Sequence, residues 1–193
     1  MPVQGAGDTQ KLNLNQNLVF VGIGNTLAGD DGVGPVMLGM LQEALEGVAG
    51  ISFHLVAGDL YALWDLLPET RAMVILDAVT GNEPGTVYAD QPMPRGFTPS
   101  FHQTDAATVM KKLERLYQGN FPQWTVWGVS ISIPDTLGEG LSPPVRAGAD
   151  EAVWEILDAL AGDGLKVGDD RFVLTDGGAR IVSHIPENPD PHP

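Results

Sequence analysis

Three acidic residues and one histidine stand where the chain could do chemistry. Asp30 and Asp31 are adjacent inside "GIGNTLAGDDGVG", Gly22 to Gly34, directly after the apolar run "LVFV". Asp77 interrupts "VILDAV", and His102 sits in "TPSFHQTD". A carboxylate inside an apolar run is costly to bury unless it is paired or binds a metal, which makes Asp77 the polar residue hardest to dismiss. Two carboxylates and an imidazole facing one crevice would suit a divalent transition metal such as nickel or zinc. Each also has a plainer explanation. A loop histidine is often solvated or a partner for a helix start, and an aspartate after a glycine turn often caps the next helix.

The glycines invite comparison with nucleotide-binding loops, and the spacing argues against it. A dinucleotide fingerprint needs a third glycine where this chain has Leu27. Asp30 and Asp31 would face a pyrophosphate, at a cost on the order of a few kcal/mol for close like charges. No Gly-Lys-Ser/Thr follows, so a Walker loop fails as well. The glycines Gly22, Gly24, Gly32 and Gly34, with Asn25, are better suited to shaping a tight loop that turns one acid towards a cation. Asp31 is assigned that part, and Asp30 a capping role in a helix or loop.

The elements that must position these residues alternate between strand and helix. "LVFVGIG" predicts a buried strand and "GPVMLGMLQEALEG" an amphipathic helix. "ISFHLV" predicts a second strand, and "DLYALWDLLPET" a short helix capped by Asp59. "AMVILDAV" is the most apolar strand and is expected at the centre of the sheet. "TVYAD" predicts an edge strand and "QPMPRGFTPS" a long loop. "DAATVMKKLERLYQG" predicts a helix, "QWTVWGVSI" a strand, "PDTLGEGLSPPVRAG" an irregular loop, and "ADEAVWEILDALAG" a last helix. This alternation indicates a mostly parallel sheet covered on both faces. In such sheets, ligands sit beyond the C-terminal ends of the strands. Asp31 and Asp77 both follow strand ends there, and they converge if the first and third strands are neighbours.

The 193 residues suffice for one domain. Residues 1–16 are expected to form a flexible lead-in, residues 17–162 a single α/β domain, and residues 163–193 a C-terminal extension. In the extension "TDGG" favours a hairpin, and "PENPDPHP" a disordered end. Cysteine is absent, which removes disulfides, thiolate metal sites and a cysteine nucleophile. The net charge of −15 disfavours a nucleic-acid partner. No apolar run is long enough to span a bilayer, so membrane insertion is not expected. The start lacks the pattern of a secretion signal, and a cytoplasmic location is expected. Neither a G-x-S-x-G elbow nor an evident partner for Ser100, Ser130, Ser132 or Ser142 marks a serine nucleophile.

"GIGNTLAGDDGVG" followed by a helix, then "ILDAV", then "PSFHQ", resembles the hydrogenase maturation endopeptidases, the processing proteases of nickel–iron hydrogenases. The similarity runs from about Leu18 to about Leu160 in order and spacing. It implies a phosphorylase/hydrolase-like three-layer α/β/α sandwich of about five strands, with "TVYAD" antiparallel to the rest. It also implies removal of a C-terminal extension from the hydrogenase large-subunit precursor after nickel insertion. The family's metal-contacting positions fall on Asp31, Asp77 and His102. Nickel would be borne by the substrate and shared at the site, with no tightly bound organic cofactor and a monomeric enzyme. Family members carry Glu or Asp at the first position. The shorter side chain here draws the ligand back by about 1.5 Å, one C–C bond. The catalytic group stays open, with Asp31 and Asp77 as candidates. Either the metal polarises the scissile carbonyl or activates water, or it positions the substrate while an aspartate acts as general base. Where relatives carry an Asp-Gly-Gly-Thr-like turn, this chain has "VAGDLY". Two other functions compete: a non-catalytic metal-dependent chaperone for the same precursor, and a nucleotide-binding α/β protein.

Overall fold

A computed structural model describes residues 17–80, 83–89, 106–132, 138–162, 166–167, 170–175 and 178–182. The expected lead-in at 1–16, the loop "QPMPRGFTPS" and the final residues lie outside them.

The five strands of the main sheet are β1 (Leu18–Ile23), β2 (Ile51–Val56), β3 (Ala72–Thr80), β4 (Val87–Ala89) and β5 (Gln123–Ile131). They lie in the order β2-β1-β3-β5-β4. All neighbours pair in parallel except β4, a three-residue edge strand antiparallel to β5. β3 is the middle strand, and residues Met73–Val79 are all buried. That explains its unbroken apolar run: a central strand is covered on both faces, so alternation disappears.

Three α-helices, α1 (Val33–Ala44), α2 (Ala106–Leu116) and α3 (Pro143–Gly162), and a 3-10 helix (Leu60–Glu69) cover the sheet. Alternate residues along each strand point to opposite faces, so each face has its own core. Leu18, Phe20, Val74 and Leu76 pack with Met37 and Leu41 of α1 and with Val145, Ala149 and Ile156 of α3. Phe20 and Phe53 stack on this face with centroids 5.5 Å apart. Val19, Val21, Ile23, Met73 and Ile75 pack against Leu63 and Leu67 of the 3-10 helix and Val109, Met110 and Leu113 of α2. The result is a three-layer α/β/α sandwich.

Two elements differ from their expected form. The segment Leu60–Glu69 is 3-10 rather than α-helical and contains Pro68. Proline has no N–H to donate, which removes one of the bonds an α-helix would need there. Helix α3 begins at Pro143, within the segment expected to be irregular. Ser142 before Pro143 is a helix-start signal: its carbonyl accepts from the Arg146 N–H at 2.9 Å, and proline in the first turn has no N–H left unsatisfied. Beyond α3, strands β6 (Lys166–Val167), β7 (Asp170–Thr175) and β8 (Gly178–Val182) form a separate antiparallel sheet. Among the described residues no helix is long and apolar enough to cross a membrane.

Candidate functional site

The chain leaves β1 through Gly24, whose φ of 139° lies in the region glycine favours. A side chain there would collide with the carbonyl oxygen of Asp31. The loop therefore folds back closely enough that Gly24 and Asp31 touch through their backbones. Asn25 shapes the same turn twice. Its Oδ1 accepts from the Leu27 N–H at 3.0 Å, an Asx turn, and its own N–H donates to Asp31 Oδ2 at 3.0 Å. At the far end, a Cβ on Gly34 would strike the carbonyl oxygens of Ile23 and Leu76. The bare glycine lets the first turn of α1 sit directly against the end of β1 and the middle of β3.

Residues Gly29–Gly32 form a single 3-10 turn. Successive residues in such a turn point about 120° apart, so the two aspartates diverge. Asp30 reaches α3: its Oδ1 accepts from the Ser142 N–H at 2.6 Å and its Oδ2 from the Ser142 hydroxyl at 2.8 Å. Asp31 turns inward and is 1% exposed. Its Oδ1 is buried and has no hydrogen-bond partner among the described residues. The capping role expected of Asp30 and the inward role expected of Asp31 thus fall on different side chains of one turn.

Asp77 lies on β3, 7% exposed, and its Oδ1 is likewise sequestered from solvent. Because Gly22 pairs with Leu76 in parallel register, Ile23 and Asp77 follow side by side at the same end of the sheet. The 3-10 turn carrying Asp31 packs on β3. Asp31 and Asp77 are the two buried carboxylates of the described residues: Asp31 lies in the turn that follows β1, and Asp77 in the second half of the neighbouring parallel strand β3.

His102 lies outside the described residues, and with it the third member of the expected site. The segment that carries it leads into α2, which covers the face shared by Ile75 and, by alternation, Asp77. Among the described residues, no group of three His, Asp or Glu side chains is arranged to hold a metal ion. His54 belongs elsewhere. With Asn17, Ser52, Asp65 and Glu69 it lines a cavity of about 350 Å³ beside the start of β1, which neither Asp31 nor Asp77 touches.

The serines divide cleanly. Ser130 is fully buried; its hydroxyl donates to the Glu83 carbonyl and accepts from the Thr86 N–H at 3.0 Å. Ser142 is held by Asp30, and Ser132 is exposed. Ser100 lies outside the described residues. Asp59, exposed, caps the 3-10 helix by accepting from the Tyr61 N–H at 2.9 Å. The contacts that sequence reasoning missed are those between loops. Ala28 forms a parallel bridge with Gly138, the Gly29 N–H donates to the Gly138 carbonyl at 2.6 Å, and the Gly138 N–H donates to the Leu27 carbonyl at 3.1 Å. The Ser142-Pro143-Pro144 helix-start signal is the sequence feature nearest to this strap.

Buried carboxylates at the side of the sheet where parallel strands exit fall where open α/β sheets bind their ligands as a general rule. Solved structures give the fold a class. The [NiFe] hydrogenase maturation protease HybD from Thermococcus kodakarensis matches with 27% identity and a TM-score of 0.60, over 76% of this chain and 99% of that one. The hydrogenase maturating endopeptidase HybD from E. coli matches with 28% identity and a TM-score of 0.58, over 77% and 94% of the two chains. An endopeptidase from Escherichia coli matches with 25% identity and a TM-score of 0.61, over 78% and 96%. No curated protein matches. The protein is thus an α/β/α maturation endopeptidase, a hydrolase. The HycI family model, hydrogenase maturation protease, matches residues 59–159, more than half of the chain and including Asp77 and His102. The chain belongs to the hydrogenase maturation protease family.

Proposed function

We propose that this endopeptidase removes the C-terminal extension of a nickel–iron hydrogenase large-subunit precursor after nickel has been inserted, and that it does so in the cytoplasm. The observation that carries this reading is the Oδ1 of Asp31, a buried carboxylate oxygen without a hydrogen-bond partner among the described residues. Buried polar atoms are almost always satisfied, and a cation satisfies an anionic oxygen better than any neutral donor. Oxygen and imidazole donors without thiolate fit a borderline cation such as nickel. Asp31, Asp77 and His102 would hold it, with Asp31 kept in place by the Asn25 N–H.

In this scheme nickel arrives as part of the substrate and completes its coordination at the protease. A site with two carboxylates and one imidazole is modest by itself, so selectivity comes from the ligands that the precursor contributes. Peptide hydrolysis then needs a water placed against the scissile carbonyl. It also needs a group to take the water's proton and return one to the departing amine. Asp31 and Asp77 are the candidates for the proton-accepting role. Water attacks the carbonyl carbon, the C–N bond breaks, and the extension leaves with a new amino terminus.

The protease would thereby use the occupied nickel site as its signal that assembly is complete. Metal-free protease mixed with nickel-loaded and nickel-free precursor provides the test, read as loss of the C-terminal extension. Cleavage of the loaded form alone is expected. Equal cleavage of both forms overturns the shared-metal scheme.

A further inference from the structure

We propose that Asp30 and Ser142 are positioning residues, forming a latch that fixes the Asp31 turn to the start of α3. This rests on the placement of Asp31 in the site. The turn that carries Asp31 is only four residues long and 3-10 in form, with no side-chain cap at its start. Hydrogen bonds in so short a turn are poorly aligned and do little to hold it alone. One end is anchored by Gly34 against β1 and β3. The other end is held by the strap to Gly138, and the latch adds a side-chain anchor to it.

Helix α3 is a firm base for it. The helix is 20 residues long, and Val145, Ala149 and Ala152 are fully buried in the core. A Cβ on its Gly148 would strike the Gly85 carbonyl, so the helix is seated against the turn before β4. Asp30 binds the N-cap residue of this helix through both carboxylate oxygens, at 2.6 and 2.8 Å. Bonds to an ionised acceptor are roughly twice as strong as neutral ones. The positive end of the helix dipole favours the carboxylate further. The strap through Ala28 and Gly138 runs alongside and keeps the two loops in register. The pair of adjacent aspartates therefore divides its labour: Asp30 spends its charge on α3 so that the inward oxygen of Asp31 is aimed by a fixed backbone.

Two measurements on the full chain test this, using Asp30→Ala, Ser142→Ala, the double variant and Ser142→Thr. Amide exchange at Asn25, whose N–H is bonded to Asp31 Oδ2, reports the turn without any substrate. Loss of the latch should speed that exchange about tenfold relative to β3 amides, since the opening becomes local. With nickel-loaded precursor, Asp30→Ala should lower kcat about tenfold or more and Ser142→Ala by a smaller factor, while KM stays within about twofold, as for misplacement near the chemistry. The double variant should match Asp30→Ala, because that change already removes both bonds, whereas Ser142→Ala leaves the backbone N–H of residue 142 bonded to Asp30 Oδ1. Ser142→Thr, which keeps the hydroxyl, should restore both readouts. Unchanged Asn25 exchange with wild-type kcat in the folded variants overturns the latch. Wild-type cleavage by Asp31→Asn would instead overturn the placement of the site, and the exchange result would still decide the latch.

Discussion

The exits of β1 and β2 use the same local vocabulary to opposite ends. Both strands stop beside each other, with Ile23 paired to Val56. Each is followed by a positive-φ glycine, Gly24 or Gly58, and then by aspartate and a 3-10 segment. After β2 the aspartate is exposed and its duty is local, the cap on Tyr61 N–H. After β1 the loop is longer and is strapped to the start of α3, and it delivers Asp31 to 1% exposure with one oxygen unbonded among the described residues. Residue type and turn chemistry do not distinguish the two aspartates. Burial does, and burial is imposed by contacts remote in sequence.

The largest effect that would sharpen this contrast is expected at Asp31. Asp31→Asn keeps the shape and an oxygen for the Asn25 N–H while removing the charge. Cleavage of nickel-loaded precursor should fall about a thousandfold, equivalent to about 4 kcal/mol at the transition state. Thermal stability should hold or rise, because an amide is cheaper to bury than an uncompensated carboxylate. A parallel loss of melting temperature and activity would make Asp31 structural and erase the contrast with Asp59. Asp77→Asn is expected to follow the same pattern, with activity hurt more than stability.

Gly24→Ala comes next. The new methyl would meet the Asp31 carbonyl oxygen in a backbone conformation that alanine rarely adopts. A loss of about 3 kcal/mol in stability is expected in denaturant titration. The counterpart change at Gly58, whose Cβ would meet nothing within 4 Å, carries only the strain of its φ of 99°. It should cost about 1 kcal/mol. Equal losses at both glycines would show that the β1 exit is no more tightly wrapped than the β2 exit.

Much of this architecture was readable from residue patterns because strands and helices are periodic. Ile51–Val56 and Gln123–Ile131 fall where alternation and apolar runs placed them, and the unbroken run Ala72–Thr80 announced a central strand. The start of α3 was misplaced because glycine and proline in "GEGLSPPVRAG" read as loop, although Pro143 and Pro144 occupy a helix's first turn. The candidate site was legible as a list of acids at or after strands, and the parallel pairing of β1 with β3 makes the strand that carries Asp77 the neighbour of the one that leads to Asp31. What sequence could not show was the partner that Asp30 binds. That partner is Ser142, 112 residues away.

The smallest effect belongs to the exposed member of the comparison. Asp59→Ala removes an acceptor from one backbone N–H, that of Tyr61, at the start of the 3-10 helix. Water can replace it, because Asp59 and Tyr61 are both exposed. Loss of a cap of this kind costs about 1 kcal/mol, so the denaturation midpoint should shift slightly. Cleavage should keep its wild-type kcat, since the 3-10 helix packs through Leu63 and Leu67 rather than through its cap. Asp59→Asn, which still offers an acceptor oxygen, should recover the lost stability. A tenfold fall in kcat for Asp59→Ala without a change in melting temperature would move Asp59 from the frame to the substrate. In that outcome both strand exits, and not that of β1 alone, would build the cleavage site.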